Sequence, residues 1–409
     1  MKKAIVLSGG GAKGAYQIGV WKALRKLNYK YDIVTGTSVG ALNGAFMVMN
    51  DYKNAVNFWQ NISPKDIFDE QLTQDAETLD EKKEILLKYA KKAVKGGFSV
   101  QTLEKNIERL LDTSKFFSSP INYGLVTFNL TNLKPLELEK KNLTKENLKD
   151  YLIASATCFP AFQIKKIDNE QYIDGGYYDN VPINLAIRLG AEEIVAVDLD
   201  AIGIKQKIKK EPVKIIHIRP KNNLGSFLIF NKKYALRAIQ YGYNDTMKAF
   251  GKYTGNHYTF KKSRFINYYQ LYSKKFTELL LKIVEKKESF LFEQIFETFN
   301  VSKIKKDNQY EKAIDIIEEI ATIFELDDTT IYRFSKFNSL LKKKIQAMDS
   351  ADNPKMEKLL EKNWKQVFDK KTIIKYMYDK IKSENYENLK KLAILFKKEF
   401  VAALYLAIL

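Results

Sequence analysis

Twice before residue 50 the chain runs from a short apolar stretch through a glycine turn into an apolar segment. In the first passage, residues 3–7 lead into Gly9-Gly10-Gly11-Ala12-Lys13-Gly14, and Ile18, Trp21, Leu24 and Leu27 follow at helical spacing. In the second, Ile33-Val34-Thr35 leads into Gly36-Thr37-Ser38-Val39-Gly40 and then an apolar helix over residues 41–48. Repeated strand, turn and helix restrict the fold class to α/β, with helices packed on a largely parallel sheet. Further strands are expected at residues 123–129, 193–198 and 213–218, with a helix over 182–189. Residues 52–112 read as mostly helical, broken at Gly96-Gly97 and placed to cover a site.

After Pro220 the pattern changes to lysine- and glutamate-rich segments, in which Ala313, Ile316, Ile317, Ile320 and Phe324 recur at the helical period. The expectation is an α/β domain over residues 1–220 and an all-helical, lysine-rich domain over 221–409, with the boundary between 220 and 230. With 45% hydrophobic residues the chain can fill two cores. The apolar run at residues 4–7 is too short for a secretory signal, and no stretch of ~20 apolar residues occurs. A cytoplasmic chain with at most peripheral membrane contact is expected. A single cysteine, Cys158, excludes an intrachain disulfide and a cysteine-rich metal site.

The net charge of +19 divides unevenly, 32 basic against 26 acidic residues up to 220 and 36 against 23 beyond it. Lysine outnumbers arginine 61 to 7, which disfavours nucleic acid, since base reading and bidentate phosphate recognition draw on arginine. Lysine-rich, solvated helix faces account for such a surplus by themselves, and an anionic lipid surface is the charged partner that remains. Lys390-Lys391, Lys397-Lys398 and the apolar last ten residues offer it one contact, unless that segment is an ordinary core helix.

Three motifs carry chemistry. G-x-S-x-G at Gly36–Gly40 suits a serine on a sharp strand-to-helix turn, where flanking glycines avoid collisions and the helix dipole favours negative charge on an acyl oxygen. The same five residues also suit a capped turn. Gly9–Gly14 contains G-x-G-x-x-G, which can cradle a pyrophosphate with Asp32 on the ribose, as in a dinucleotide-binding oxidoreductase, or can hold an oxyanion. In either role Lys13 adds positive charge. Asp174-Gly175-Gly176 places a carboxylate at a strand end, which a dinucleotide fold does not need and a serine hydrolase can use as a base. That role requires Asp174 to be partly desolvated beside Ser38, because an ordinary aspartate, with pKa ~3.9, is a weak base at neutral pH.

Taken in order, these motifs resemble the patatin-like phospholipase family over roughly residues 3–200, as do Ser155–Phe162, Asn180-Val181-Pro182 and Leu189–Ile194. The resemblance implies a three-layer domain acting without metal or cofactor on acyl esters of phospholipids or lysophospholipids. It implies Ser38 as nucleophile and Asp174 as base. It also implies oxyanion donors among Gly9, Gly10, Gly11, Lys13 and Gly14, with Gly36 and Gly40 shaping the serine turn and Gly175 and Gly176 the base loop. Lys13 stands where the family more often has arginine. His217 is expected on the buried face of a strand and His257 outside the domain, so neither is expected to be the base. A scaffold protein that keeps the fold without turnover is disfavoured by the intact Ser38 and Asp174.

Overall fold

A computed structural model describes residues 1–68, 79–208, 212–262, 265–283, 309–350, 369–386 and 389–409. It divides into two compact units, Met1–Phe250 and Gly251–Leu409.

The first unit is built on eight strands: β1 (Lys3–Leu7), β2 (Ile33–Thr37), β3 (Asn122–Asn129), β4 (Lys134–Glu139), β5 (Lys165–Ile167), β6 (Glu170–Asp174), β7 (Glu193–Val197) and β8 (Lys214–Ile218). Their order is β5-β6-β3-β2-β1-β7-β8, with β4 paired to β3 as well. From β3 to β8 the pairings are parallel, and β4, β5 and β6 add an antiparallel end. Period-two alternation divides β1 between two cores: Ile5 and Leu7 enter the larger, Ala4 and Val6 the smaller.

Helices α1 (Ala15–Lys26), α2 (Val39–Val48), α3 (Tyr52–Gln60), α4 (Leu79–Val94), α5 (Gln101–Leu110), α6 (Thr113–Ser118) and α7 (Leu148–Ala156) feed the larger core, while α8 (Ile183–Arg188) covers the smaller. These layers flank the expected parallel sheet. Residues 69–78, inside the segment expected to be helical, lie outside the described residues.

The first unit continues past the expected boundary at 220–230, because α9 (Lys232–Ala249) lies directly on α1. The two backbones meet at glycines. A Cβ on Gly19 would stand 1.8 Å from the Ile239 carbonyl oxygen, and one on Gly242 would stand 2.0 Å from that of Tyr16. Nearby, the buried Tyr16 hydroxyl donates to Asp245 at 2.9 Å. That crossing joins a lysine-bearing helix of the later sequence to the first core.

The second unit holds helices Phe265–Ile283, Gln309–Ile323, Phe334–Gln346, Lys370–Lys382, Leu389–Leu395 and Lys397–Ile408. It is not all-helical, since β9 (Tyr253–Thr254), β10 (Thr259–Lys261) and β11 (Ile331–Tyr332) form a small sheet. Residues 400–406 are buried in this unit's core, so the apolar C-terminal segment is a packing helix and not a lipid contact. Lys398 pairs with Glu319, and the side chains of Lys390 and Lys391 lie outside the described residues. Among the described residues no helix is long and apolar enough to cross a membrane.

Candidate active site

β3 brings the serine and the aspartate together. One edge of β3 pairs with β4 over residues 124–129. The opposite edge is shared: it pairs with β2 as far as Thr37 opposite Val126, and then with β6 starting at Asp174 opposite Thr127. The C-terminal ends of β2 and β6 therefore meet end to end on consecutive residues of β3, with Ser38 just beyond one and Asp174 closing the other.

Ser38 caps α2 with φ 56° and ψ −129°, a backbone state that costs a non-glycine residue about 1–3 kcal/mol. Its neighbours leave no room for a side chain: a Cβ on Gly36 would meet the Gly40 carbonyl at 2.3 Å, and one on Gly40 would meet that of Leu7 at 2.2 Å. The turn is pinned by Ser155, whose hydroxyl accepts from the Ser38 amide at 2.9 Å and donates to the Val126 carbonyl at 2.6 Å. Thr37 adds a bond from its hydroxyl to the Asp179 carbonyl at 2.7 Å.

The Asp174 side chain is buried and faces the same cavity as that of Ser38, and the Gly176 amide donates to it at 2.7 Å. Burial dominates and raises its pKa to about 6, against the lowering effects of the Ser38 side chain and the Gly176 amide. The partial desolvation required of a carboxylate base is thus present. Asp179, buried behind the loop, is raised to about 6 by the same cause.

Ser38 and Asp174 open into a cavity of about 420 Å³ lined also by Gly9, Gly10, Gly11 and Gly176, with a mainly apolar wall that includes Phe162, Phe227 and Phe230. Cys158 is in that wall, where burial, then the Asp174 charge, pushes its thiol up to about 12. A smaller cavity of about 60 Å³ also reaches Ser38 and runs between Leu42, Phe46, Trp59, Leu103 and Ile107. The 52–112 segment thus does help wall the site.

The glycine loop divides by role. The Gly9 amide donates to the Asn180 carbonyl at 3.2 Å and is already used. The Gly10 and Gly11 amides make no hydrogen bond among the described residues. Lys13 does not line the cavity; its ammonium donates to the Asp200 carbonyl at 3.2 Å. Gly14 is against Val39 and Trp59, where a Cβ would come within 2.4 and 2.8 Å. Gly36, Gly40 and Gly175 shape the turns without lining the cavity, and a Cβ on Gly175 would stand 2.1 Å from the Val126 carbonyl.

The dinucleotide alternative fails on position. Asp32 precedes β2 and accepts from the Lys3 amide at 2.9 Å, at the opposite end of β1 from the glycine loop. A strand of this length separates the two by roughly 13 Å. His217 is exposed on the edge strand β8 and not on a buried face, and burial, then Arg219, lowers its pKa. Neither His217 nor His257 lines the cavity. Among the described residues no cluster of histidine, cysteine or carboxylate side chains is arranged to hold a metal.

Two polar residues acquire roles that local sequence did not suggest. Ser155 interrupts an apolar helix, the one signal that could have marked it. Asn180 is buried beside the cavity, and its side-chain nitrogen has no partner among the described residues.

Residues 5–187 match the family model for patatin-like phospholipase. That match lies within the first unit. Similar chains include patatin-like phospholipase domain-containing protein 6 of Mus musculus, 26% identical over 48% of this chain and 13% of the relative. Lysophospholipase nte1 of Aspergillus terreus is 28% identical over 48% of this chain and 12% of the relative. This chain therefore spans about an eighth of the length of those relatives. Among solved structures, VipD from Legionella pneumophila is similar over 100% of this chain and 90% of its own, at 15% identity and a TM-score of 0.41. The type III effector ExoU is similar over 97% and 79%, at 14% identity and a TM-score of 0.30.

Proposed function

We propose that the chain is a serine acyl hydrolase that cleaves fatty acyl esters of phospholipids or lysophospholipids with Ser38 and Asp174 as a dyad. The observation that carries this reading is that a strained, buried serine and a buried carboxylate, at the adjoining ends of two strands, open into one cavity. The mainly apolar cavity that both groups enter suits an acyl chain.

In this reading Ser38 attacks the ester carbonyl carbon as its proton passes to Asp174. The Gly10 and Gly11 amides, left unpaired by the fold, receive the developing oxyanion with the N-terminus of α2 behind it. Collapse expels the alcohol portion of the lipid, which takes the proton back from Asp174. Water, deprotonated by Asp174, then attacks the acyl-Ser38 ester; as the acyl–oxygen bond breaks, the proton passes from Asp174 to the Ser38 oxygen and the fatty acid leaves.

The test is fluorophosphonate labelling together with mass spectrometry of products from a mixed lipid panel. Labelling should occur on Ser38, and Ser38→Ala should remove both labelling and fatty acid release, a loss of about 10³-fold or more. Products unaffected by Ser38→Ala would exclude the mechanism. Asp174→Asn should cost a similar factor, while alanine at His217 or His257 should leave most of the rate.

A further inference from the structure

The 199–208 segment forms one lip of the cavity, with Ala201, Ile202, Gly203 and Ile204 in the wall. Its inner side is tied down. The Ile204 amide donates to the Gly176 carbonyl at 2.9 Å, the Ile204 carbonyl accepts from the Asn180 amide at 2.6 Å, and the Gln206 side chain donates to the Tyr178 carbonyl at 2.8 Å. At its base Asp198 is paired with Lys205 at 2.8 Å and Arg219 at 3.1 Å, and Lys13 holds the Asp200 carbonyl.

A segment anchored this way presents its outer side chains in fixed positions, and those side chains are apolar. Ile202 is 93% exposed and Ile204 53%. On the base loop Tyr177 also lines the cavity and is 42% exposed; its hydroxyl donates to the carbonyl of Phe159, itself 37% exposed. Isoleucine at such exposure, around the mouth of an apolar cavity, gains free energy only when the mouth is covered by an apolar phase. Lys207 is exposed in the same segment, and the paired Lys205 leaves no uncompensated carboxylate at Asp198, so the covering phase that fits carries negative charge.

We infer that the cavity mouth itself docks on an anionic phospholipid surface, with Ile202 and Ile204 inserted among acyl chains and Lys207 at the headgroups. The proposal rests on the lipid-hydrolase reading for the purpose of docking, but the contact can be measured without turnover. It places lipid contact on the first unit, on an element the primary structure does not mark out.

The experiment uses the full chain carrying Ser38→Ala and vesicles of phosphatidylcholine with and without phosphatidylglycerol. Sedimentation should show binding that is stronger with the anionic lipid, and adding Ile202→Asp should weaken it by roughly tenfold or more. A separate Ile202→Trp variant should shift its emission to the blue on binding and be quenched by brominated lipids. Binding insensitive to Ile202→Asp, an introduced indole that brominated lipid does not quench, or no vesicle binding at all, as expected if a protein covers the lip, would each overturn the proposal. If vesicle binding depends on Ile202 but the Ser38 chain hydrolyses no ester, docking stands and the hydrolase reading falls. The converse result, hydrolysis of a soluble monomeric ester with binding indifferent to Ile202, removes docking alone.

Discussion

At Asp174 burial works against folding and for chemistry. Its pKa is raised from 3.8 to about 6, so between those values the native state holds a proton that the unfolded chain has released. Stability from this group therefore falls as pH rises through that window, and above it the charged, buried carboxylate costs about 3 kcal/mol. Asp174→Asn should accordingly raise the thermal midpoint at pH 7.5 even as it removes activity, and calorimetry near pH 4 should find the gain largely gone. The same titration governs the rate. Because the base must be ionised, kcat/KM for a soluble ester should decline below about pH 6; a flat profile down to pH 5 would argue against Asp174 as the base. Ser155 acts one bond away from the chemistry. Ser155→Ala leaves the Ser38 amide and the Val126 carbonyl unpaired, at a cost of about 1–3 kcal/mol. The loosened turn should lower kcat by about tenfold with little change in KM, and Ser155→Thr, which keeps the hydroxyl, should recover part of the loss.

At the scale of elements, the crossing of α1 and α9 depends on the absence of two side chains. Gly242→Ala would ordinarily favour a helix by about 1 kcal/mol. A methyl group 2.0 Å from the Tyr16 carbonyl oxygen cannot be accommodated without separating the helices. The steric cost should exceed the propensity gain, leaving a net destabilisation of about 1–3 kcal/mol, read as a lower unfolding midpoint. What could be read in advance follows the same logic of local and distant causes. β1, β2, β3 and β7 are rich in apolar and β-branched residues and largely buried, and the composition of each segment announces it. β4, with Lys134, Glu137 and Glu139, is half-exposed and polar, and it is a strand because β3 offers it an edge. The short strands of the second unit are likewise fixed by their pairing partners. In the glycine loop the residue types were informative, but the engagement of the Gly9 amide by Asn180 was not, because that bond joins distant parts of the chain.

For the whole molecule, the division after Phe250 predicts what can stand alone. A chain of residues 1–250 keeps α9 on α1 and keeps Phe227, Leu228 and Phe230 in the cavity wall. It should fold and label at Ser38 with fluorophosphonate, whereas residues 1–220 should be insoluble or unlabelled; equal labelling of both would show that α9 is dispensable. The two ends meeting on β3 have a different consequence. The spacing of Ser38 and Asp174 is set by one peptide repeat of a third strand and not by the lengths of chain that connect them. The intervening segments, including the 52–112 region that helps wall the smaller cavity, are thereby released from keeping the reacting groups in register. They can be lengthened, shortened or rewritten to admit a different molecule while the juxtaposition of Ser38 and Asp174 is inherited unchanged, so in the proposed hydrolase selectivity and chemistry can evolve separately.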